Sequence, residues 1–505
     1  MGVGKEKDKD RGLVRGSGCN CMEIKILIMT ILAMGIMVIA SQIFPFGGFS
    51  SGSCEKLVGK ILQKESGLQV NLSRVDNMAF NSTAGPAKSE ELPSKEEEEE
   101  ESKNKQVFRA YGRAAYLFIQ MGAYRGGANT FAVVGLASKP LHVYGKPGFE
   151  CEWIPGDSTL RPVKGKALKI LPDWGYGRVY TVVVVNCTFA EPVGDDGGGG
   201  QLILYANNGQ DFEHPERILA LNEKEKSYNA SVFTGPPPYD YLYCGSSLYG
   251  DLNPQRMREW IAYHAKFFGA RSHFVFHDAG GVNSEVREVL EPWIQAGRVT
   301  LQDIRDQEQF DGYYHNQFLI VNDCLHRYKF MAKWTFFFDV DEFLYISRGR
   351  SIDSIVQEYS GYTQFTIQQY HMSDKICLDH SDSAKHSREW VFEKLVFRDV
   401  AKGIRRDRKY AVQARNVEAT GVHMSENFHG KKKHTMDMIR YYHYHNTLSN
   451  RKELCRIFVK PSMKGNVTWI EGTPYVYDGR LKALAPSIKQ FEIEQIGSKL
   501  ASTAQ

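Results

Sequence analysis

The segment Trp334-Thr335-Phe336-Phe337-Phe338-Asp339-Val340-Asp341-Glu342-Phe343 runs an apolar stretch straight into three acids. Trp334 to Phe338 is β-prone and too short for a helix, so it reads as a buried strand. Where such a strand ends, the chain leaves the sheet and its side chains project into a crevice. Asp339 and Asp341 stand there at i, i+2, on one face if the strand continues. Two carboxylates so close repel each other unless a cation lies between them. Hard oxygen donors suit Mn²⁺ or Mg²⁺, which keep positions open for phosphates. A solvated acidic turn is the plainer reading of a bare Asp-x-Asp; the apolar run before it favours the metal.

Upstream, strands and helices alternate. Tyr241–Gly245 reads as a strand, followed by a helix to Phe268 that Asn253 caps and Pro254 opens. Ser272–His277 is a strand, Ser284–Ala296 a helix, Arg298–Gln302 a strand and Tyr313–Tyr328 a helix. This alternation implies an α/β domain with a mostly parallel sheet and covering helices. Ligands bind such sheets beyond the carboxyl ends of the strands, where Gly245, Ser246, Ser247, Asp278 and Asp339 all fall. No Gly-x-Gly-x-x-Gly or phosphate-loop pattern follows the first strand, which argues against nicotinamide or ATP sites of those types. A strand-end Asp-Val-Asp with a divalent cation suits the diphosphate of a nucleotide-sugar instead, the cation acting as a Lewis acid on the leaving group. Tyr243, Gly245, Ser246 and Asp278 are candidate donor contacts. Lys394 and Arg398 are the basic candidates downstream, with Arg405 and Arg406 beside them.

Tyr441-Tyr442-His443-Tyr444-His445 is a second candidate site. In a strand His443 and His445 share a face, and neutral imidazoles can complete a coordination shell begun by carboxylates. Sugar transfer by single displacement also needs a base for the acceptor hydroxyl. Asp382, Glu389 and Glu393, between the strand Phe365–His371 and one starting near Lys394, are the candidates. Sequence does not choose among them.

The rest of the chain supplies an address and a second domain. The 505 residues carry a formal net charge of +4, too small and too mixed to imply nucleic acid. Ile24 to Phe44 is apolar enough to span a bilayer, and the basic excess before it keeps that end cytosolic. A cleaved signal peptide, ending at Val38-Ile39-Ala40, is the rival reading. Sequons at Asn71, Asn81, Asn186, Asn229 and Asn466 agree with a lumenal bulk. Seven cysteines would then be lumenal, an odd set. Cys151 with Cys187, and Cys377 with Cys455, are plausible pairs; Cys244 and Cys324 read as buried free thiols. Cys54, in the stem, is expected to join two chains as a homodimer. Val107 to about Tyr228 shows short β-rich runs and glycine turns, the texture of a β-sandwich. The divisions are a tail (1–23), a transmembrane anchor (24–44), a stem with acidic linker (45–105), a β-sandwich (106–235) and the α/β domain (236–495).

At this level of detail the chain resembles glycosyltransferase family 92, and within it the plant β-1,4-galactan synthases. The resembling stretches are Tyr243-Cys244-Gly245-Ser246-Ser247-Leu248-Tyr249-Gly250, Arg258 to His264, Ala332-Lys333-Trp334 leading into Asp339-Val340-Asp341-Glu342-Phe343, Phe392 to Arg398, and Tyr442-His443-Tyr444-His445. The resemblance implies a GT-A fold, Mn²⁺ dependence, inversion at the anomeric carbon and Golgi residence as a type II membrane protein. It further implies UDP-galactose as donor, the β-1,4-galactan side chains of pectin as acceptor, and a β-sandwich like a carbohydrate-binding module. Tyr124, Trp153, Trp174 and Tyr176 are the candidate sugar-binding aromatics there. Two other classes fit the residues without that resemblance: a haloacid-dehalogenase-type phosphatase or phosphotransferase, and a non-catalytic lumenal glycan-binding protein.

Overall fold

The computed structural model describes residues 104–497, apart from 113–115, 140–146, 171–178, 209–213, 311–313, 380–388, 402–406, 436–437, 450–453 and 461–466. The expected anchor, Cys54, Asp382, Arg405, Arg406, Trp174 and Tyr176 lie outside the described residues.

The β-rich region holds eight strands: β1 Arg109–Tyr111, β2 Phe118–Arg125, β3 Thr130–Ser138, β4 Gly148–Pro155, β5 Val163–Ile170, β6 Tyr180–Thr188, β7 Gly200–Asn207 and β8 Glu216–Glu223. They form one antiparallel sheet in the order β1-β2-β3-β6-β5-β4-β7-β8. The expected sandwich is therefore a single sheet that folds over on itself. Gln120 on β2 donates its Nε2–H to Ala220 O on β8 at 2.7 Å, bringing the two ends together. Phe118, Phe131, Trp153, Val183, Val185, Leu202 and Ile218 fill the fold, and Cys151–Cys187 ties β4 to β6.

Strands β2, β3 and β6 are buried on both faces. Ile119, Val134, Leu136, Val182 and Val184 point away from the inner core and pack on Ile304, Phe310, Leu319 and Ile320 of the second domain. Burial on both faces explains why Val182-Val183-Val184-Val185 reads as a continuous apolar run. Tyr124 belongs to this interface, its hydroxyl donating to Asp323. Trp153 is 1% exposed and stacks on Phe131 with ring centroids 5.4 Å apart. Both are packing residues, which corrects their reading as sugar-binding aromatics.

The second domain is organised around a nine-stranded sheet. Its strands are β9 Tyr239–Leu248, β10 Ser272–Asp278, β11 Val299–Asp303, β12 Ala332–Phe337, β13 Glu342–Ile346, β14 Gln364–His371, β17 Arg408–Val412, β20 Lys432–His434 and β21 Ile439–His443. Smaller ladders pair β15 (Ile376–Leu378) with β22 (Ile457–Val459) and β18 (Val417–Ala419) with β19 (Asn427–Phe428). A third runs β16 (Phe397–Asp399), β24 (Thr473–Tyr477), β23 (Val467–Ile470). The main order is β11-β10-β9-β12-β17-β14-β21-β13, with β20 on β14.

The first four strands are parallel, as the alternation implies. Beyond β12 the sheet is mixed, because β17 runs antiparallel to both its neighbours and β13 antiparallel to β21. The longer helices among the described residues are α1 Pro254–Phe268, α2 Ser284–Gln295, α3 Gln317–Arg327, α4 Ile352–Glu358 and α5 Ala485–Ile496. Asn253 caps α1, its side chain accepting from Arg256 N at 3.1 Å. Helix α3 lies between the domains: Leu319 and Ile320 face the β-rich sheet, while Val321, Cys324 and Leu325 face β9, β10 and β12. Cys324 is bonded to Cys244 on β9. That disulfide corrects the reading of two free thiols: strand and helix are packed face to face, and the two cysteines meet across the contact.

Candidate active site

The acidic motif occupies a turn rather than a continued strand. β12 ends at Phe337, and residues 338–341 carry the chain from the middle of the sheet to β13 at its edge. Aromatic side chains hold this crossing from beneath. Trp260 on α1 donates its indole N–H to Glu342 O at 3.0 Å and Asp339 O at 3.2 Å. The Tyr243 hydroxyl donates to Phe338 O at 2.9 Å. Glu342 closes the turn, its Oε2 accepting from Asp339 N at 2.8 Å. An apolar, aromatic floor thus turns Asp339 and Asp341 toward one crevice, with Glu342 buried behind them.

Asp339 is surrounded by donors. Ser246 Oγ–H and Gln317 Nε2–H reach its Oδ1 at 2.8 and 3.1 Å, and Lys409 Nζ lies 2.7 Å from its Oδ2. Burial alone would raise the Asp339 pKa, but Lys409 and these hydrogen bonds bring it below the usual carboxylate value. Lys409, 3% exposed on β17, also lies 3.8 Å from Glu342. Although burial opposes its charge, the acids around it raise its pKa. Glu342 is 1% exposed, and burial pushes it up to about 8, Lys409 opposing and Asp339 and Asp341 reinforcing the rise.

Antiparallel pairing of β13 with β21 sets Glu342 opposite His443. His443 Nε2 lies 3.3 Å from Asp341 Oδ2, and the His445 ring is 5.2 Å from the His443 ring. Burial lowers the imidazole pKa, but the Asp341 carboxylate outweighs it and brings His443 to about 9. Asp341, His443 and His445 each offer a ligand atom within 4.8 Å of the others, as do Asp339, Asp341 and Glu342. Mixed carboxylate and imidazole donors of this kind fit a divalent transition-metal ion. A cavity of about 540 Å³ opens over them, lined by Ser246, Tyr249, Gln317, Asp339, Asp341, Lys409, His423, His443 and His445, among others.

Four of the residues singled out from sequence as metal ligands, Asp339, Asp341, His443 and His445, and one donor candidate, Ser246, therefore meet at one cavity. The others do not line it. Tyr243 is spent on the turn, and a Cβ on Gly245 would press 2.4 Å from the Tyr243 hydroxyl, so both shape the floor. Asp278 Oδ1 accepts from the main-chain N–H groups of Gly280, Gly281 and Val282 at 2.9 to 3.1 Å and braces its own loop. Arg398 lies 3.3 Å from Asp478 and stacks over Tyr370. Lys394 is half-buried near Arg256, Glu259, Glu389 and Glu393, and its pKa is lowered chiefly by burial.

Glu389 and Glu393 are paired with Lys482 at 2.8 Å and Lys489 at 2.6 Å, which fastens the Trp390 segment to the C-terminal helix and the turn before it. Lys409, Glu342, Gln317 and His423 escaped the sequence reading. Glu342 adjoins the motif and was within reach of it. Lys409 and Gln317 arrive from distant elements and carry no local signal.

Residues 239–475 match the sequence profile of glycosyltransferase family 92. Galactan beta-1,4-galactosyltransferase GALS1 of Arabidopsis thaliana is 59% identical over 396 residues, covering 78% of this chain and 79% of that one. The chain belongs to glycosyltransferase family 92. Galactan beta-1,4-galactosyltransferase GALS3 of the same plant is 47% identical over 521 residues, spanning both chains in full. A beta-1,4-galactosyltransferase of Caenorhabditis elegans, galt-1, is 24% identical over 168 residues, 32% of this chain and 37% of that one. The profile starts at the first residue of β9, so the cavity of this family 92 enzyme lies inside the matched region.

Proposed function

We propose that this enzyme transfers galactose from UDP-galactose to the end of a β-1,4-galactan chain, on a GT-A fold and with a divalent cation, Mn²⁺ or Mg²⁺. The observation that carries the proposal is the convergence of Asp341, His443 and His445 on one cavity, in a chain 47–59% identical to two galactan beta-1,4-galactosyltransferases. Those three residues would hold the cation, with Asp339 and Glu342 behind them. A cation there supplies Lewis-acid neutralisation of a leaving diphosphate.

The chain's own groups do the remainder. Lys409 neutralises the paired acids and places a second positive charge at the cavity wall. Gln369 Nε2 stands 2.7 Å from His443 Nδ1. With that amide turned over, its Oε1 accepts from Nδ1–H, which leaves the Nε2 lone pair for the cation. Ser246 and Gln317 keep Asp339 oriented. Asp382 is the sequence candidate to take the acceptor's proton, because Glu389 and Glu393 are ion-paired away from the cavity.

Residence in the Golgi membrane, through the apolar segment 24–44 with the catalytic domain lumenal, belongs to the same proposal. Three intrachain disulfides there are consistent with an oxidising lumen. They leave Cys54 as the odd lumenal cysteine, so a Cys54–Cys54 homodimer completes the arrangement. The test is to incubate the purified chain with Mn²⁺ and a panel of UDP-sugars, with and without β-1,4-galacto-oligosaccharides, and to measure UDP release and product size. Galactan extension from UDP-galactose alone is the expected result. Equal use of another UDP-sugar, or UDP release that no acceptor stimulates, would overturn it.

A further inference from the structure

Beyond Ser246 the cavity wall changes character. Leu248, Tyr249, Tyr314, Phe318 and Val422 replace the acids and imidazoles. Tyr249 and Tyr314 are both lining residues and stay 39% and 54% exposed, unlike the aromatics of the domain core.

The backbone that presents Tyr314 is strained. Tyr314, His315 and Asn316 have φ of 48°, 50° and 57°, three consecutive non-glycine residues in the left-handed region. L-residues adopt that conformation at a cost, and runs of them persist only where surrounding contacts impose it. Those contacts are present. Asn316 Nδ2–H donates to Gln307 Oε1 at 2.8 Å, Ser247 Oγ–H donates to His315 O at 2.8 Å, and the His315 ring stacks on Tyr249 at 4.0 Å and 24°. The sequence periodicity expects a helix from Tyr313; the helix begins at Gln317 instead. The left-handed turn does two things that an earlier helix start would not. It sends Gln317 to Asp339, and it brings His315 against the Tyr249 ring with Tyr314 at the cavity wall.

Resting on the reading of a UDP-sugar donor, we infer that Tyr249 and Tyr314 form the platform on which the donor's nucleobase stacks. A nucleotide-sugar has two chemically distinct ends: a diphosphate that seeks cations and a flat heterocycle that seeks aromatic faces. The cavity has the same division, with Asp341, His443, His445 and Lys409 for the diphosphate and the two tyrosines for the base. The strained turn links the two parts, because its next residue, Gln317, orients the first acid of the motif.

The experiment compares two probes on the full-length chain with Mn²⁺ present: UDP, which carries the base, and inorganic pyrophosphate, which does not. Calorimetry on Tyr249→Ala and Tyr314→Ala is expected to show UDP affinity falling roughly tenfold or more, with pyrophosphate affinity within about twofold of wild type. Tyr249→Phe is expected to restore UDP binding, since the ring carries the effect. A parallel fall for both probes would mean that the tyrosines only support the turn. No change for either, or a rise confined to the acceptor's KM, would place the base elsewhere. All three outcomes overturn the inference. Failure of the wild-type chain to bind UDP would instead count against the donor reading itself.

Discussion

Strands β11, β10, β9 and β12 run parallel and are joined by helices, whereas β17, β14, β21 and β13 are joined mainly by loops and mix directions, antiparallel at β17–β14 and β21–β13 but parallel at β14–β21. The parallel half presents a rigid edge from which Ser246 and Gln317 hold Asp339 in place. From the mixed half come the groups of opposite or variable charge: Lys409 on β17, His443 at the end of β21, and His445 just beyond it. The Asp-Val-Asp turn crosses between the halves, so neither is a complete site. Placing charge at a seam lets two separately stabilised pieces of sheet set one coordination geometry, and damage to either should be felt at the same atoms.

The largest expected effect follows from removing a ligand at the crossing. Asp341→Ala should lower galactosyl transfer by roughly 10³-fold with the fold intact, since several kcal/mol of charge stabilisation are lost. Chelation of the wild-type enzyme should reproduce the defect in rate assays. Near-normal turnover by the variant at saturating Mn²⁺ would separate the turn from the chemistry.

Breaking the seam from the mixed side should reduce stability as well as activity. Lys409→Met leaves Asp339 and buried Glu342 without their cation, at a cost of about 3–5 kcal/mol. Denaturant unfolding would measure it, and added Mn²⁺ should recover part of the loss by neutralising the same acids. An unchanged midpoint would show that Lys409 is not what balances them.

On the parallel side the corresponding break is milder. Cys244–Cys324 closes a loop with sequence separation 80 between β9 and α3. Replacing both cysteines by alanine should cost about 2–4 kcal/mol, read by thermal unfolding. Because β9 carries Ser246 and α3 begins at Gln317, the KM for the donor should rise more than kcat falls. Equal change in both would argue that the disulfide only stabilises.

The smallest effect concerns acid. Burial holds His264 and His326 at a pKa of about 3, against 6.5 for a free side chain. The unfolded chain therefore takes up these protons first as pH falls. Their contribution is complete above about pH 6.5 and is lost progressively below it, roughly 2 kcal/mol per histidine by pH 5. His264 sits beneath the crossing, donating from Nδ1 to Trp260 O and accepting at Nε2 from Leu344 N. His264→Gln should flatten the pH dependence of the unfolding midpoint; an unaltered slope would exonerate that residue.

The same division explains what the sequence made legible. In the parallel half the first two helices carry their own caps, Asn253 opening α1 and Asn283 opening α2, both where local chemistry predicts, whereas α3 has no side-chain cap and starts at Gln317 rather than at Tyr313. The mixed half is made of strands of three to eight residues, whose pairing is decided by tertiary contact rather than by pattern. Lys409 lies in Arg408-Lys409-Tyr410-Ala411-Val412, where a lysine after an arginine reads as a solvent-facing residue, yet burial beside two acids makes it part of the site. Glu389 and Glu393 are the opposite case. They are acids in the segment between two strands where a base is sought, and nothing local announces that Lys482 and Lys489 pair with them. In the β-rich domain β3 and β6 stand out in the sequence because burial on both faces writes a nearly unbroken apolar run. β5, with the pattern Val163-Lys164-Gly165-Lys166, is largely exposed and carries no such run.

The central claim is that Asp341 from the crossing and His443 from the mixed half hold one cation together. Mn²⁺ affinity, measured by calorimetry on the full-length wild type, Asp341→Ala, His443→Ala and the double variant, tests it directly. Each single substitution is expected to weaken binding roughly tenfold or more, with the double variant losing less than the sum, because both singles disrupt one coordination shell. A His443→Ala enzyme that binds Mn²⁺ as tightly as wild type would contradict the account.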